Sequence, residues 1–555
     1  MNFRNYSSSL QPIRFRQAIL GLSLTCALWL GFFEPVRANV YPTDIRLNGG
    51  MTNVTASSAT GLFITYLLNE PASAGVSVVI KSNATTVRTI SLAGGDAGTA
   101  RGANSVFWNG RDDGSNNVAL GTYSIQVTAS ANGHGDWTPI SNDVDDGNYA
   151  YAASGIAVNR NTNSPHYGRV FVANAIENPG GIFLPGDNLG VLKANADGSA
   201  AAEGIFSSGG WTWAGNFSSP WKLEVSADDF TYVNDRSSNG LILRFDQTIS
   251  SNSLALVLRN DNWPNGGQVN LSGPAIVGTG TNTQIWMADL NTNGVGIRRF
   301  QVSADGTLAT NDLGTTIIPV GGDSQLTDYP YDVALDRSNR IYTIQYETDP
   351  TNANYRVLGF PAYDESGSPV TNANWRVGSG DDDLRGASGI AVDATATNVA
   401  VALRGVVSGI SGTGGSVRVF SAADGSDVWA IPPAPSNDFT DVAWDNVGNL
   451  YVCDNFASVW RAYSPPGANA ATTVALATVQ IVAAPVLPTL SAPMYAAGQF
   501  EFTLNGQTNA TYIIQSSTNL QSWTAAATNT SSSATRTISL AAPETRSFYR
   551  AQVSP

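Results

Sequence analysis

The chain has 555 residues, 42% of them hydrophobic and 13% charged, with 29 basic against 43 acidic side chains and a net charge of −14. That length exceeds one ordinary core and implies several domains. The acidic balance argues against nucleic acid and anionic membrane surfaces as partners, because both select basic patches.

Residues 1–38 carry Arg4, Arg14 and Arg16 ahead of an apolar run from Ala18 to Phe33, and close on the small residue Ala38. This is the layout of a signal peptide cut after Ala38. The run is shorter than the roughly 20 residues a membrane span needs, so no membrane insertion is expected. The mature protein is placed in the secreted, cell-surface or periplasmic space. Removing the leader leaves 25 basic and 42 acidic side chains, with Cys453 as the sole cysteine. An internal disulfide is then excluded, and Cys453, in the middle of a strand pattern, reads as a buried inert thiol.

From residue 39 onward the pattern has period two, broken by Gly, Asn, Asp and Ser, with hardly any helical periodicity. The fold class is therefore all-β. Residues 39–131 form a first unit: "GLFITYLLNE" and "AGVSVVIKS" read as strands, Trp108 ends a third, Asn109 to Asn117 reverses the chain and "GTYSIQVTA" returns. The stretches "FITYLLNEPA", "NSVFWNGRDDGSNNV" and "GTYSIQV" resemble the immunoglobulin-like domain of flagellar hook-cap proteins, also found in many secreted bacterial proteins. The resemblance implies a β-sandwich acting as spacer or docking module, with no chemistry of its own.

A second unit repeats one pattern. "SGIAVNRNTNSPHYGRVFVAN", "WKLEVSADDFTYVND", "PAIVGTGTNTQIWMAD", "YDVALDRSNRIYTIQ", "SGIAVDATATNVAVALR" and "TDVAWDNVGNLYVCDN" start at 154, 221, 274, 331, 388 and 440. Their spacing of 52 to 67 residues suits a four-stranded blade with loops. Residues 135–483 are accordingly read as a six-bladed β-propeller. The units resemble NHL-type repeats and, more distantly, gluconolactonase-related propellers. The metal-holding Glu, Asn and Asp of those enzymes find no position-by-position match, so no catalytic residue is carried over. Residues 484–498, rich in Pro and Ala, read as a linker, and 499–555 as a small C-terminal β-sandwich. In that last unit "YIIQSSTNLQSWT" and "FYRAQV" resemble a module common at the ends of secreted proteins from environmental bacteria.

The chemical inventory is thin. The two histidines, His134 and His166, both fall in loops and read as exposed, and no Gly-x-Ser-x-Gly, His-Glu-x-x-His or phosphate-loop pattern occurs. "DLNTNG" (289–294) starts like a calcium loop, but Phe300 stands where the bidentate Glu belongs, so it is read as a turn and no cofactor is expected, calcium being the alternative. The second strands end on Asn174, Asp235, Asp289, Gln345, Arg404 and Asp454, a polar ring suited to capping loop backbone. Arg404 is too long for that task and is expected to face a ligand.

On the same face "GGWTWAGNFSSPWK" brings Trp211, Trp213, Trp221 and Lys222 together, and Tyr331, Asp332 and Asp441 open later blades. Exposed tryptophans stack on sugar rings while charged neighbours orient hydroxyls or uronate carboxylates. The expected function is a secreted noncatalytic binding or scaffold protein, with a glycan or an extracellular protein as partner. The alternative is a carbohydrate-active or lactone-hydrolysing enzyme using channel carboxylates or a metal. Paired acids about 5 to 10 Å apart in the channel would favour the enzyme; a channel of Val, Ala and Thr would favour binding.

Overall fold

The computed structural model describes residues 39–555 except 58–59, 217–218, 238–240, 259–270, 290–295, 304–313, 322–325, 327–329, 347–354, 365–368, 379–383, 406–413, 435, 484–485, 531, 542–545 and 555. The expected leader at 1–38 and most of the calcium-like loop lie outside these residues. Asp289 of that loop is described, and its Oδ2 lies 3.4 Å from Arg298. No helix among the described residues is long and apolar enough to cross a membrane.

The repeated motif becomes a hairpin because its turn is held by its own first polar residue. Asp445 Oδ1 accepts the backbone N–H groups of Val447, Gly448 and Asn449, and Asp336 Oδ1 does the same for Ser338 and Arg340. Such Asx turns fix the reversal, and the alternating apolar residues on either side then pair. Each blade is a four-stranded antiparallel sheet, and the first five run in simple meander order, as in Ala153–Val158, Val170–Asn174, Gly190–Ala194 and Phe206–Ser207 of blade 1.

The inner strands are Ala153–Val158, Leu223–Val225, Leu271–Val277, Pro330–Leu335, Ala387–Val392 and Phe439–Trp444. Each packs against the next, and the sixth packs against the first, so the sheets close into a six-bladed β-propeller. Hydroxyls staple neighbouring inner strands: Ser154 Oγ donates to Trp221 O (2.9 Å), Ser388 Oγ to Phe439 O (2.9 Å) and Thr440 Oγ1 to Ala153 O (2.8 Å). The ring is fastened where the early strand Thr138–Pro139 becomes the outer edge of blade 6, pairing with Val459–Ser464.

The first sandwich has Pro42–Leu47, Leu62–Leu68 and Gly102–Trp108 in one sheet, and Gly75–Ser82, Thr85–Leu92 and Gly121–His134 in the other. Its core holds Trp108, Ile64, Val78, Ile125 and Val127. Two further strands correct the expected boundaries. Gly467–Val474 and Val479–Val482, which the repeat spacing assigned to the propeller, pair instead with Gly121–His134, and Val479–Val482 also pairs in parallel with Val54–Ser57. Alternation makes them strands, but their partners lie more than 300 residues earlier. The expected linker is corrected in the same way. Thr489–Ala496 is a strand on Gln499–Asn505, so the C-terminal sandwich begins before 499. That sandwich closes on Phe502, Leu504, Tyr512, Ile514 and Ile538.

Candidate functional site

Register places two layers of residues around the channel. Gly155, Lys222, Gly273, Asp332, Gly389 and Asp441 occupy one position of the six inner strands, alternating glycine with a charged residue. The alternation is steric. A Cβ on Gly273 would collide with Asp332 Oδ1, and one on Gly389 with Asp441 and Lys222 Nζ. Small residues on three blades make room for long ones on the other three.

Those three meet. Lys222 Nζ lies 2.6 Å from Asp441 Oδ1 and 3.0 Å from Asp332 Oδ2, and 3.5 Å from the Thr440 carbonyl. The remaining carboxylate positions accept backbone N–H groups: Ile156 on Asp441 Oδ2, Ile390 and Val333 on Asp332. The side chains of Lys222, Asp332 and Asp441 are 2%, 5% and 6% exposed, so blades 2, 4 and 6 are clasped through the closed centre of the ring. Burial pulls the Lys222 ammonium down, but the two carboxylates outweigh it and hold it above its ordinary range. Two acids share one base, so burial also pushes Asp332 up and Asp441 to about 6.

Two residues further along each inner strand stand Ala157, Glu224, Ala275, Ala334, Ala391 and Ala443. Glu224 alone breaks the alanine layer. It lines a pocket of about 70 Å³ on the far side of the clasp, with Arg160 Nη2 3.7 Å away, and burial pushes its carboxyl up to about 7. The channel thus combines the two expected linings, alanines and paired acids, with the acids bridged by a lysine. Among the described residues no group of three His, Cys, Asp or Glu could hold a metal ion.

The expected tryptophan surface is corrected. Trp213 is 5% exposed, packed with Phe171, Leu223 and Phe245, and its Nε1 donates to Ser208 O. Trp221 is 4% exposed with Nε1 on Ser272 Oγ, and the half-buried Trp211 donates to Asp235 Oδ2 at 2.9 Å. Bulky indoles fill the gaps between blades, where their burial stabilises the ring. Arg404 is corrected too. It forms a two-point pair with Asp438 (3.0 and 2.7 Å), whose carboxylate also takes Gly405 N–H and Asn455 Nδ2. The residue that register aligns with Asn174 and Asp454 is Leu403, opposite Ala387. Asn174 and Asp454 of the ring cap backbone as expected, Asn174 Oδ1 accepting Ala152 N–H and Asp454 Oδ1 those of Asp438, Phe456 and Ala457, whereas Gln345 donates its amide to Tyr355 O and Asp289 meets Arg298. The histidines are less exposed than expected, His134 meeting Glu70 at 2.7 Å and burial pulling His166 below its ordinary range. Cys453 is fully buried, its Sγ 3.5 Å from Gly155 O.

What gathers at the channel mouth above the clasp is a different set. The Arg236 guanidinium lies 5.2 Å from the Trp221 ring centre and 5.5 Å from that of Tyr331, and donates to Tyr331 Oη at 3.3 Å. Tyr331 in turn stacks on Tyr346 at 4.8 Å and meets Trp221 edge-on. Of the expected residues, Trp221 and Tyr331 belong to this cluster, while Lys222 and Asp332, the next residues on the same two strands, belong with Asp441 to the clasp. Trp211 and Trp213 belong to the wall between blades 1 and 2. Sequence reasoning missed Arg236, Tyr346 and Glu224; only Glu224 had a signal, as the one acid among five alanines in aligned repeats.

Residues 51–133 match the FlgD Ig-like domain family. The match falls within the first sandwich. No curated protein matches the chain. Among solved structures it is similar to a protein of unknown function from Bacteroides thetaiotaomicron, at 14% identity over 79% of this chain and 99% of that one, TM-score 0.36. It is also similar to the Cps50 (Swd1) β-propeller domain of Myceliophteria thermophila, at 10% over 56% and 82%, TM-score 0.32. A third likeness is to a putative 6-phosphogluconolactonase from Bacteroides fragilis, at 11% over 69% and 88%, TM-score 0.31. Likeness at this level assigns no activity or ligand.

Proposed function

We propose that the protein is an exported, noncatalytic binding protein whose propeller takes an acidic polar ligand, a uronate-bearing glycan being the best fit, over the mouth formed by Trp221, Arg236, Tyr331 and Tyr346. The observation that carries this reading is Arg236. It is half-buried on an aromatic platform and has no carboxylate partner among the described residues. A guanidinium presents a planar fork matched to a carboxylate, and neighbouring aromatic edges and hydroxyls suit a sugar ring. The first sandwich then serves as spacer or docking module. The acids beneath the mouth support the noncatalytic side, since Lys222 and backbone N–H groups already occupy Asp332 and Asp441.

The test is a glycan array probed with the chain from residue 39 onward, with and without calcium. Binding concentrated on uronate-containing glycans and lost in Arg236→Ala is expected. Unchanged binding by that variant, or binding confined to neutral sugars, would overturn the reading.

One observation favours the hydrolytic alternative. Glu224 faces a pocket, and its carboxyl, pushed up to about 7, is suited to general acid or base work. Turnover of a lactone or glycoside by the wild-type chain that disappears in Glu224→Gln would establish it.

A further inference from the structure

The first residues after the leader lie in an enclosed place. Asn39, Val40 and Tyr41 are 2%, 0% and 0% exposed, held between the first sandwich and blade 6. Tyr41 meets Tyr167 of blade 1 and Tyr451 of blade 6, and Asn39 O accepts the side-chain amides of Asn69 (3.0 Å) and Asn449 (2.9 Å). Asn39 N donates to Ser464 Oγ at 3.1 Å, Ser464 Oγ donates to Glu70 Oε1 at 3.0 Å, and the other Glu70 oxygen lies 2.7 Å from His134 Nε2.

This network has more acceptors than donors. Glu70 is 3% exposed, and its one charged partner among the described residues is a histidine with a 30% exposed side chain. Asn39 Oδ1 is buried with no hydrogen-bond partner among the described residues. A buried carboxylate calls for a full counter-charge, and an orphaned amide oxygen for a donor. A peptide N–H at Asn39 supplies one hydrogen, which Ser464 takes. An ammonium in the same place would supply three hydrogens and a positive charge.

We propose that the Ala38–Asn39 bond is cut during export and that the new α-ammonium of Asn39 becomes the buried counter-ion of Glu70, locking the first sandwich onto the propeller. This rests on the signal-peptide reading of residues 1–38. The step is a hydrolysis by an export-linked endopeptidase. Water adds across the amide, its oxygen stays on the Ala38 carboxylate, and the released amine takes up a proton. Residue 39 then completes the junction only as the first residue of the chain.

Intact mass of the exported protein reads its first residue, and Asn39 is expected. Melting is then compared between a chain with a free Asn39 amine and the same chain acetylated there. At pH 7 the free-amine chain is expected to melt higher by about 2–4 °C. The gap should close as pH rises past the α-amino range, ordinarily near 8, and should be absent in a Glu70→Gln background. If that variant does not fold, the pH series on the unmutated chain carries the test. A different first residue would overturn the cut itself. Equal melting of the two chains, or a gap that persists at high pH, would overturn the counter-ion role while leaving the cut in place.

Discussion

Lys222 and Arg236 stand at the same end of the channel, both on blade 2, and their circumstances are opposite. Lys222 is 2% exposed with two carboxylates and a carbonyl around its ammonium; Arg236 is half-buried, lies over two aromatic rings and meets no carboxylate among the described residues. A buried charge must be matched on the spot because desolvation is costly. A charge left unmatched at a wetted rim costs little and remains available. In this propeller the saturated cation holds blades together and the unsaturated one is the better candidate for recognition.

The comparison breaks most severely at Lys222. Lys222→Met leaves Asp332 and Asp441 buried without their counter-ion, and a loss of about 3–5 kcal/mol is expected in denaturant unfolding. Replacing all three clasp residues with apolar ones of similar volume should recover most of it, since removing a whole buried cluster is far less costly than removing one partner.

The surplus acid of the clasp comes next, as a pH effect. Asp441 titrates near 6 in the folded protein and near 3.9 when unfolded, so the folded state binds the extra proton between those values. Its contribution to stability is therefore fully present below about 4 and is lost as pH rises to about 6. Melting followed across that window should fall less steeply with rising pH in Asp441→Asn than in the wild type. Parallel curves would show that the clasp does not titrate as a two-acid, one-base cluster.

The same physics explains what could be read without coordinates. Alternation around Asp445 and Asp336 predicts hairpins, because both the turn chemistry and the packing period are local. The clasp is half legible: Lys222, Asp332 and Asp441 stand out as charged residues opening their blades, and the Gly-charged alternation of "SGIA", "WKLE", "YDVA" and "TDVA" spells their layer. That they converge needs the ring to close, which no local pattern states. The inner strands also carry a register shift between Ala153 and Gly155, Pro330 and Asp332, Ala387 and Gly389, and Phe439 and Asp441. Those irregularities obscure register in the sequence, so that the repeat spacing points to Arg404, one residue past Leu403. Tryptophan burial and the return of Gly467–Val474 to the first sandwich depend on long-range partners and leave no mark in composition.

A smaller effect sharpens the steric side of the clasp. Gly389→Ala would press a methyl group against Asp441 and Lys222 Nζ, and a loss of about 1–3 kcal/mol in chemical denaturation is expected from overpacking. The same substitution at Gly135, where an added Cβ meets no heavy atom within 4 Å and, as at Gly389, φ is not positive, is the control and should cost little.

The smallest stability effect should accompany the largest effect on recognition. Arg236→Ala removes a cation from the faces of Trp221 and Tyr331 and one hydrogen bond to a phenol, interactions worth about 0.5–1 kcal/mol at a partly exposed site. Melting should hardly move. If the mouth recognises an acidic ligand, binding should fall far more than stability, and Arg236→Lys should recover only part of it, because an ammonium keeps the charge but lacks the two-point fork. A variant that loses as much stability as Lys222→Met would instead make Arg236 a second structural cation, and the division between saturated and unsaturated charge at this end of the channel would not stand.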